Sequence, residues 1–183
     1  MAPAHEEIAV RPCRAADLEA VQAIYAHHVR HGTGSFEETP PDLAEMTRRW
    51  ERIAGAGLPW LVAELEDRVA GYAYAGPFHP RPAYRFTLED SVYVAPDAAR
   101  CGAGRALLAD LLRRCEAAGF RQMVAVIGDS ANAGSIGLHR AFGFTHAGAL
   151  SAVGFKFGRW LDTVTMQRPL GPGSTILPPE PRP

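Results

Sequence analysis

Two stretches decide how this chain is read: Glu89-Asp90-Ser91-Val92-Tyr93-Val94-Ala95-Pro96 and Arg100-Cys101-Gly102-Ala103-Gly104-Arg105. The first is a short β-branched and aromatic run closed by proline, and it reads as a strand. The second opens onto Ala106-Leu107-Leu108-Ala109-Asp110-Leu111-Leu112, whose apolar positions recur at helical spacing. Gly102 and Gly104 let the backbone turn tightly and present bare N–H groups at a helix N-terminus. Such a terminus favours phosphate through aligned donors and the positive end of the helix dipole. Arg100 and Arg105 add charge that offsets phosphate. Glu89 lies upstream on the strand. A phosphate cradle beside an acid implies a phosphorylated cofactor that delivers a group to a substrate losing a proton.

Outward from this motif, the spacing predicts alternating elements. Ile8 to Pro12 reads as a first strand. A helix follows, with Asp17 in its opening turn and Leu18, Val21, Ile24, Tyr25 and Val29 on one face. His31-Gly32-Thr33-Gly34-Ser35 breaks it, and a second helix runs to about Ile53. Trp60–Glu64 and Val69–Tyr74 read as a hairpin about Glu66-Asp67-Arg68. Prolines 77, 80 and 82 predict that Gly76 to Pro82 is a loop. The helix after the glycine loop should end at Gly119. Gln122 to Ile127 is nearly all apolar, as a strand covered on both faces should be. Asn132 starts a short helix, and strands over Gly148–Phe157 and Leu161–Gln167 complete the pattern. Two helices, a hairpin and then alternating strands and helices imply an α/β layer with a mixed sheet.

Composition narrows the function classes. The chain has 183 residues, 47% hydrophobic and 21% charged, which suits one domain with a real core and excludes a disordered chain. A formal net charge of -1 argues against a broad basic surface for nucleic acid. No apolar stretch approaches the ~20 residues of a membrane span. Met1 to Glu7 lacks the basic and apolar regions of a secretory signal. Cys13, Cys101 and Cys115 fit neither a disulfide framework nor zinc spacing, so a reducing cytoplasm is expected. One domain over residues 1–170 is expected, followed by a proline-rich tail over 171–183 that is extended or disordered.

Two familiar phosphate-binding patterns do not fit. A dinucleotide fold wants G-x-G-x-x-G after its first strand, and Ile8 to Pro12 leads to no such loop. A P-loop fails because no Gly-Lys-Ser/Thr follows. By itself, Gly-x-Gly before a helix is equally consistent with a purely structural turn.

The segments downstream carry a resemblance. Strand, Gly-x-Gly loop, helix, apolar strand and then Asn132-x-x-Ser135-x-x-Leu138-His139-x-x-Phe142-Gly143-Phe144 are similar to the GNAT superfamily of acetyl-CoA-dependent N-acetyltransferases. Pro59–Glu64, Ala73–Pro77, Val92–Val94, Val124–Gly128 and Gly154–Trp160 resemble, more narrowly, phosphinothricin N-acetyltransferases and relatives acting on methionine sulfoximine and methionine sulfone. The likeness spans about Ile8 to Leu170. It implies a GNAT-like mixed, largely antiparallel sheet of about seven strands, helices on both faces, and acetyl-CoA in a V between two splayed central strands. It implies that Val92, Tyr93 and Val94 pair with the pantetheine arm. Arg100, Cys101, Gly102, Ala103, Gly104 and Arg105 would hold the pyrophosphate, and Asn132 would contact the cofactor farther along. The chain departs from the family at Ala99, where Gln or Arg is favoured, and at Arg100-Cys101, where Gly and a basic residue are usual.

The resemblance also implies roles at the acceptor. An ammonium must lose a proton before it attacks a thioester. Glu89 matches the carboxylate assigned as that base, and strand alternation turns Asp90 to the other face. His139 occupies the slot of a residue that handles the thiolate's proton. Arg81 suits a clamp on an amino-acid carboxylate. Phe78, His79 and Tyr84 from the same loop, with Lys156 and Trp160, would complete the acceptor pocket, covered by Phe36 of the same or a neighbouring subunit. The expected reaction is direct acetyl transfer in a ternary complex to a small amino-acid-like amine, by a homodimer. Acetylation of another small amine or a peptide N-terminus, and a non-catalytic acyl-CoA-binding module, are the alternatives. No metal is expected. His27 and His31 form an i,i+4 pair without a Glu or a third ligand, and read as a solvated helix face.

Overall fold

The computed structural model describes residues 8–178. Met1 to Glu7, and with it the reading that no secretory signal opens the chain, lie outside the described residues, as do the last five residues of the tail. Seven strands form one sheet: β1 (Ala9–Pro12), β2 (Trp60–Leu65), β3 (Arg68–Pro77), β4 (Thr87–Val94), β5 (Gln122–Gly128), β6 (Thr145–Lys156) and β7 (Arg159–Pro169), in the order β1-β2-β3-β4-β5-β7-β6. Every neighbouring pair is antiparallel except β4 with β5. Four helices join the strands: α1 (Leu18–His31), α2 (Leu43–Gly55), α3 (Ala103–Ala117) and α4 (Ala133–Ala141).

Local chemistry explains most boundaries. Glu66 and Asp67 have φ of 50° and 59°, the paired left-handed geometry of a two-residue hairpin whose twist matches its strands. Helix α3 ends with Ala118 as cap and Gly119 at φ 88°, where glycine carries no Cβ penalty. Asp42 caps α2 by accepting the Glu45 N–H at 2.7 Å. Leu107, Leu108, Leu111 and Cys115 of α3 are fully buried, packing that helix on one face of the sheet. On the opposite face, Trp60, Tyr74, Tyr72 and Tyr93 stack across adjacent strands, and Tyr25 of α1 meets Tyr93 edge-on at 5.1 Å. Every residue expected on the inner stripe of α1 is buried.

Three expectations needed correction. Gly76 and Pro77 belong to β3, opposite Glu89 and Leu88, rather than to a loop. By strand alternation Pro77 directs its missing donor the same way as Ala75, toward β2. That strand begins only at Trp60, opposite Tyr74, and Ala75 bonds Pro59 just before it, so at Pro77 no ladder bond is lost. Strand β5 is not covered on both faces along its whole length, because Val126 is 40% exposed. The tail begins in turns, with Gly173 N–H on the Leu170 carbonyl at 2.9 Å and Thr175 N–H on that of Pro172 at 3.0 Å.

The start of the chain is tied to the sheet by charge. Arg11 of β1 bonds both oxygens of Asp17 at 2.7 and 2.8 Å and reaches Glu64 of β2. The Arg11 hydrogen bond holds the Asp17 carboxyl below the usual range, against the opposing effect of burial. Stability from a depressed carboxyl is present above its ordinary value of about 3.9 and is lost as pH falls through the depressed one. Replacing Asp17 with Asn should therefore cost about 2 kcal/mol at pH 7 in urea unfolding. The gap between wild type and variant should shrink well below pH ~4.

Candidate active site

Strands β4 and β5 pair only from Thr87 opposite Gln122 to Asp90 opposite Ala125, although both continue further. Beyond Asp90 they part, and the gap is a cleft of about 660 Å³. Its walls are Val92 and Val94 on one side and Val126 and Gly128 on the other. The loop before α3 closes one end, and Leu138 and His139 of α4 lie along it. Ala95 N–H bonds Ala70 on β3 at 2.8 Å, so by alternation the backbone groups of residues 90, 92 and 94 face the cleft. The Val94 carbonyl is met by His28 Nε2 at 2.8 Å, whose proton it accepts. Burial pulls the His28 pKa down, which suits a neutral ring donating one proton. Tyr93 has its backbone groups turned to β3 and its ring to the aromatic stack, so it borders the cleft without offering that backbone to it.

At the cleft's end the chain makes an anion nest. Arg100 and Gly102 adopt φ of 64° and 98°, and the first intrahelical bond of α3 is Ala106 N–H to Gly102 O at 3.0 Å. The N–H groups of Gly102, Ala103, Gly104 and Arg105 are thus left over by the helix, and no side chain caps them. Their convergence with the helix dipole is a geometry that favours an anion such as phosphate. Gly102 is required by its backbone. Gly104 is not, since a Cβ there would meet Leu138 and Val94 at an ordinary 3.5 Å. Cys101 and Arg105 are exposed at the rim. Asn132 caps α4 by accepting the Ser135 N–H at 3.1 Å, and it lines the cleft's far wall.

Alternation splits the two acids of β4. Glu89 shares the face of Ser91, Tyr93 and the aromatic stack. Its carboxylate has no hydrogen-bond partner among the described residues, and burial, helped by the charge of Asp90, raises its pKa. Asp90 points to the other face, where Oδ2 meets His139 Nε2 at 2.9 Å. Sequence reading placed Asp90 on that face but offered no partner for it. A pair 49 positions apart leaves no local signal.

The Glu89 face is bounded by the connection between α1 and α2. Phe36 of that connection sits against Gly128 and Gly154, where any Cβ would collide with its ring. Lys156, nearly fully buried, donates to the carbonyls of Gly32 at 2.9 Å and Ser35 at 2.7 Å. Its ammonium is thus committed to the loop, and its influence on this face runs through Phe36. Tyr25 of α1 bonds Ser35 and Glu37, and Arg49 of α2 holds Glu37 at 2.7 Å, so the loop is fastened to both flanking helices. Phe78, His79 and Tyr84 cluster just before β4, with ring centroids 4.5 to 5.8 Å apart. Arg81 is exposed beside them, its guanidinium without a partner among the described residues. Trp160 is 65% exposed on β7, away from the cleft lining. Among the described residues no cluster of three metal-ligating side chains occurs, and no helix is long and apolar enough to cross a membrane.

Parted strands, an anion nest and a carboxylate on the far face are the geometry of an acyl-CoA-dependent transferase. Residues 21–144 match the profile of the Acetyltransferase (GNAT) family, and the chain belongs to that family. It is 60% identical over 169 residues to phosphinothricin N-acetyltransferase of Alcaligenes faecalis, covering 92% of this chain and 86% of that one. It is 44% identical to L-methionine sulfoximine/L-methionine sulfone acetyltransferase of Pseudomonas paraeruginosa, over 89% and 95% of the two chains. Among solved structures it superimposes on the phosphinothricin acetyltransferase of Sinorhizobium meliloti in complex with AcCoA, with a TM-score of 0.92, 51% identity and 94% coverage of each chain.

The seat of Phe36 generates a prediction. Gly154→Ala should drive a methyl into the ring and cost about 1–3 kcal/mol of stability, measured by urea unfolding. An unchanged midpoint would mean that the ring is not held there.

Proposed function

We propose that the protein transfers the acetyl group of acetyl-CoA to the α-amine of a small amino-acid-like acceptor of the phosphinothricin, methionine sulfoximine or methionine sulfone type, by direct attack in a ternary complex. The observation that carries this reading is the cleft itself, with a phosphate-binding nest at one end and the unpartnered, partly buried Glu89 beside the other. The residues present fit the cofactor. Orphan N–H groups of Gly102 to Arg105 suit a pyrophosphate, and cleft-facing backbone groups of Val92 and Val94 suit the amides of a pantetheine arm added as a strand. When bound, acetyl-CoA supplies the activated thioester.

The chain's residues divide the remaining work. Glu89 takes the proton of the acceptor ammonium, and its raised pKa brings it nearer the amine's than an exposed carboxylate would be. Arg81 reaches the acceptor's carboxylate, with the Phe78, His79 and Tyr84 rings packing its side chain. Phe36, held by Lys156 and by the two glycines, sets the depth of the acceptor site. No cysteine serves as an acyl carrier, because Cys13 and Cys115 are buried away from the cleft lining and Cys101 lies at the nest. Leu150, Val153 and Phe155 of β6, Phe157 of the turn after it and Trp160 of β7 are all exposed, at the edge of the sheet that β6 forms. An apolar edge of this kind supports a homodimer. A small-molecule acceptor and a net charge of only -1 fit a cytoplasmic enzyme.

A free-thiol assay with acetyl-CoA and an acceptor panel tests the activity. Release of CoA with phosphinothricin or methionine sulfone is expected, and CoA binding without turnover on any amine would leave only an acyl-CoA-binding module. Glu89→Gln should lower kcat about 10²–10⁴-fold while the Kd for acetyl-CoA is unchanged. In the wild type, the acid limb of kcat should fall above the ordinary Glu value of about 4.3. Arg81→Ala should raise KM for the acceptor about tenfold or more. An unaltered KM would remove Arg81 from the clamp.

A further inference from the structure

His139 is 4% exposed and has both ring nitrogens occupied. Nδ1 lies 2.7 Å from the Ser135 carbonyl, and Nε2 lies 2.9 Å from Asp90 Oδ2. A carbonyl and an ionised carboxylate accept hydrogen bonds and donate none. A neutral imidazole has one N–H, so it would aim a lone pair at one of these oxygens in a buried place, at the cost of an unmade bond. An imidazolium satisfies both. Its charge is balanced by Asp90, whose side chain is 1% exposed and would otherwise be a lone buried anion.

We infer that Asp90 is a positioning residue: together with the Ser135 carbonyl it holds His139 as a doubly protonated cation at the apex of the cleft. This rests on the acetyl-transfer reading for its consequence, though not for its geometry. Asp90 and Ala125 are the last paired residues before the strands part, and both Asp90 and His139 line the cleft at that point. A second observation separates this arrangement from an ordinary structural ion pair. Asp90 Oδ1 is buried with no partner among the described residues, so the carboxylate does not spend both oxygens on the fold.

The consequence is a division of labour between adjacent residues. As the acceptor nitrogen bonds the acetyl carbon, the C–S bond breaks and its electron pair passes to sulfur. Glu89, on the opposite face, has by then passed the ammonium's proton to water, and it takes the second proton that nitrogen sheds as the amide forms while sulfur leaves as a thiolate. His139 has no free lone pair and cannot take that proton. It presents instead a fixed positive charge where sulfur becomes negative. Burial alone would lower the His139 pKa, but the hydrogen bond and charge of Asp90, then the Ser135 carbonyl, outweigh it and raise it. The cation is therefore complete at low pH and is lost only as pH rises through that raised value. The other groups packed on the pair do not compete. The Ser135 hydroxyl lies 3.3 Å from Nδ1, and the Phe144 ring stands edge-on at 5.0 Å. Cys115 of α3 stays a neutral thiol, pushed up to about 12 chiefly by burial and then by Asp90.

Nitrogen NMR of histidine-labelled protein, free of ligand, reads the protonation state directly. Both His139 nitrogens should carry protons at pH 7, above the ordinary His value of about 6.5. In Asp90→Asn the ring should be neutral at that pH. That variant should also lose about tenfold or more in kcat with KM for acetyl-CoA nearly unchanged, and its acid limb should move to lower pH because Glu89 no longer feels the Asp90 charge. Asp90→Glu should restore part of the cation and of kcat if Asn prevents folding. A neutral His139 in the wild-type spectrum overturns the inference, as does an Asn variant with wild-type kcat and pH profile. Absence of transfer to any amine by the wild type would sink the acetyl-transfer reading instead, while the spectrum still decides the state of His139.

Discussion

The parting of two parallel strands after Asp90 and Ala125 is the constraint on which the rest depends. Each strand keeps its other neighbour, β4 with β3 and β5 with β7, so the sheet stays whole while one seam opens. The open seam leaves cleft-facing backbone groups on β4 that no strand satisfies, which is tolerable only where water or a ligand completes them. A short turn from the end of β4 brings the N-terminus of α3 to the same opening, so unsatisfied strand groups and unsatisfied helix groups converge. A ligand with amides along its length and phosphates at its end matches both.

Chemistry follows from the two-residue period of β4. Adjacent acids are sent to opposite faces, and their surroundings then differ. Glu89 shares the face of the aromatic stack, with no bonding partner among the described residues to hold its charge, and burial makes its carboxylate more receptive to a proton. Asp90 meets α4 and is locked to His139. The loop that bounds the Glu89 side is held by a buried ammonium on two carbonyls and by a ring seated between two glycines. Such a wall is rigid through packing rather than through secondary structure, which suits discrimination among small acceptors.

Much of this was legible in the residues. The stripes of α1 and α3, the Glu66-Asp67 turn, the glycine end of α3 and the nest each rest on local periodicity or local backbone need, which sequence carries openly. What escaped reading depended on neighbours. Pro77 looked like a loop residue because only the late start of β2 explains why its missing donor is harmless. Val126 looked like core because the opening of the seam, not its own side chain, exposes it. Lys156 was read toward the acceptor, whereas its partners are carbonyls more than a hundred residues away. The tie between Asp90 and His139 is of the same kind, since alternation gave the face of Asp90 but not what waited there.

The most direct measurement is a crystal structure with CoA and methionine sulfone bound. The account predicts pyrophosphate on the N–H groups of Gly102 to Arg105, the pantetheine arm on Val92 and Val94, and the acceptor amine against Glu89, with sulfur at the apex beside His139. Ligand seated anywhere else, or an amine turned away from Glu89, would contradict it.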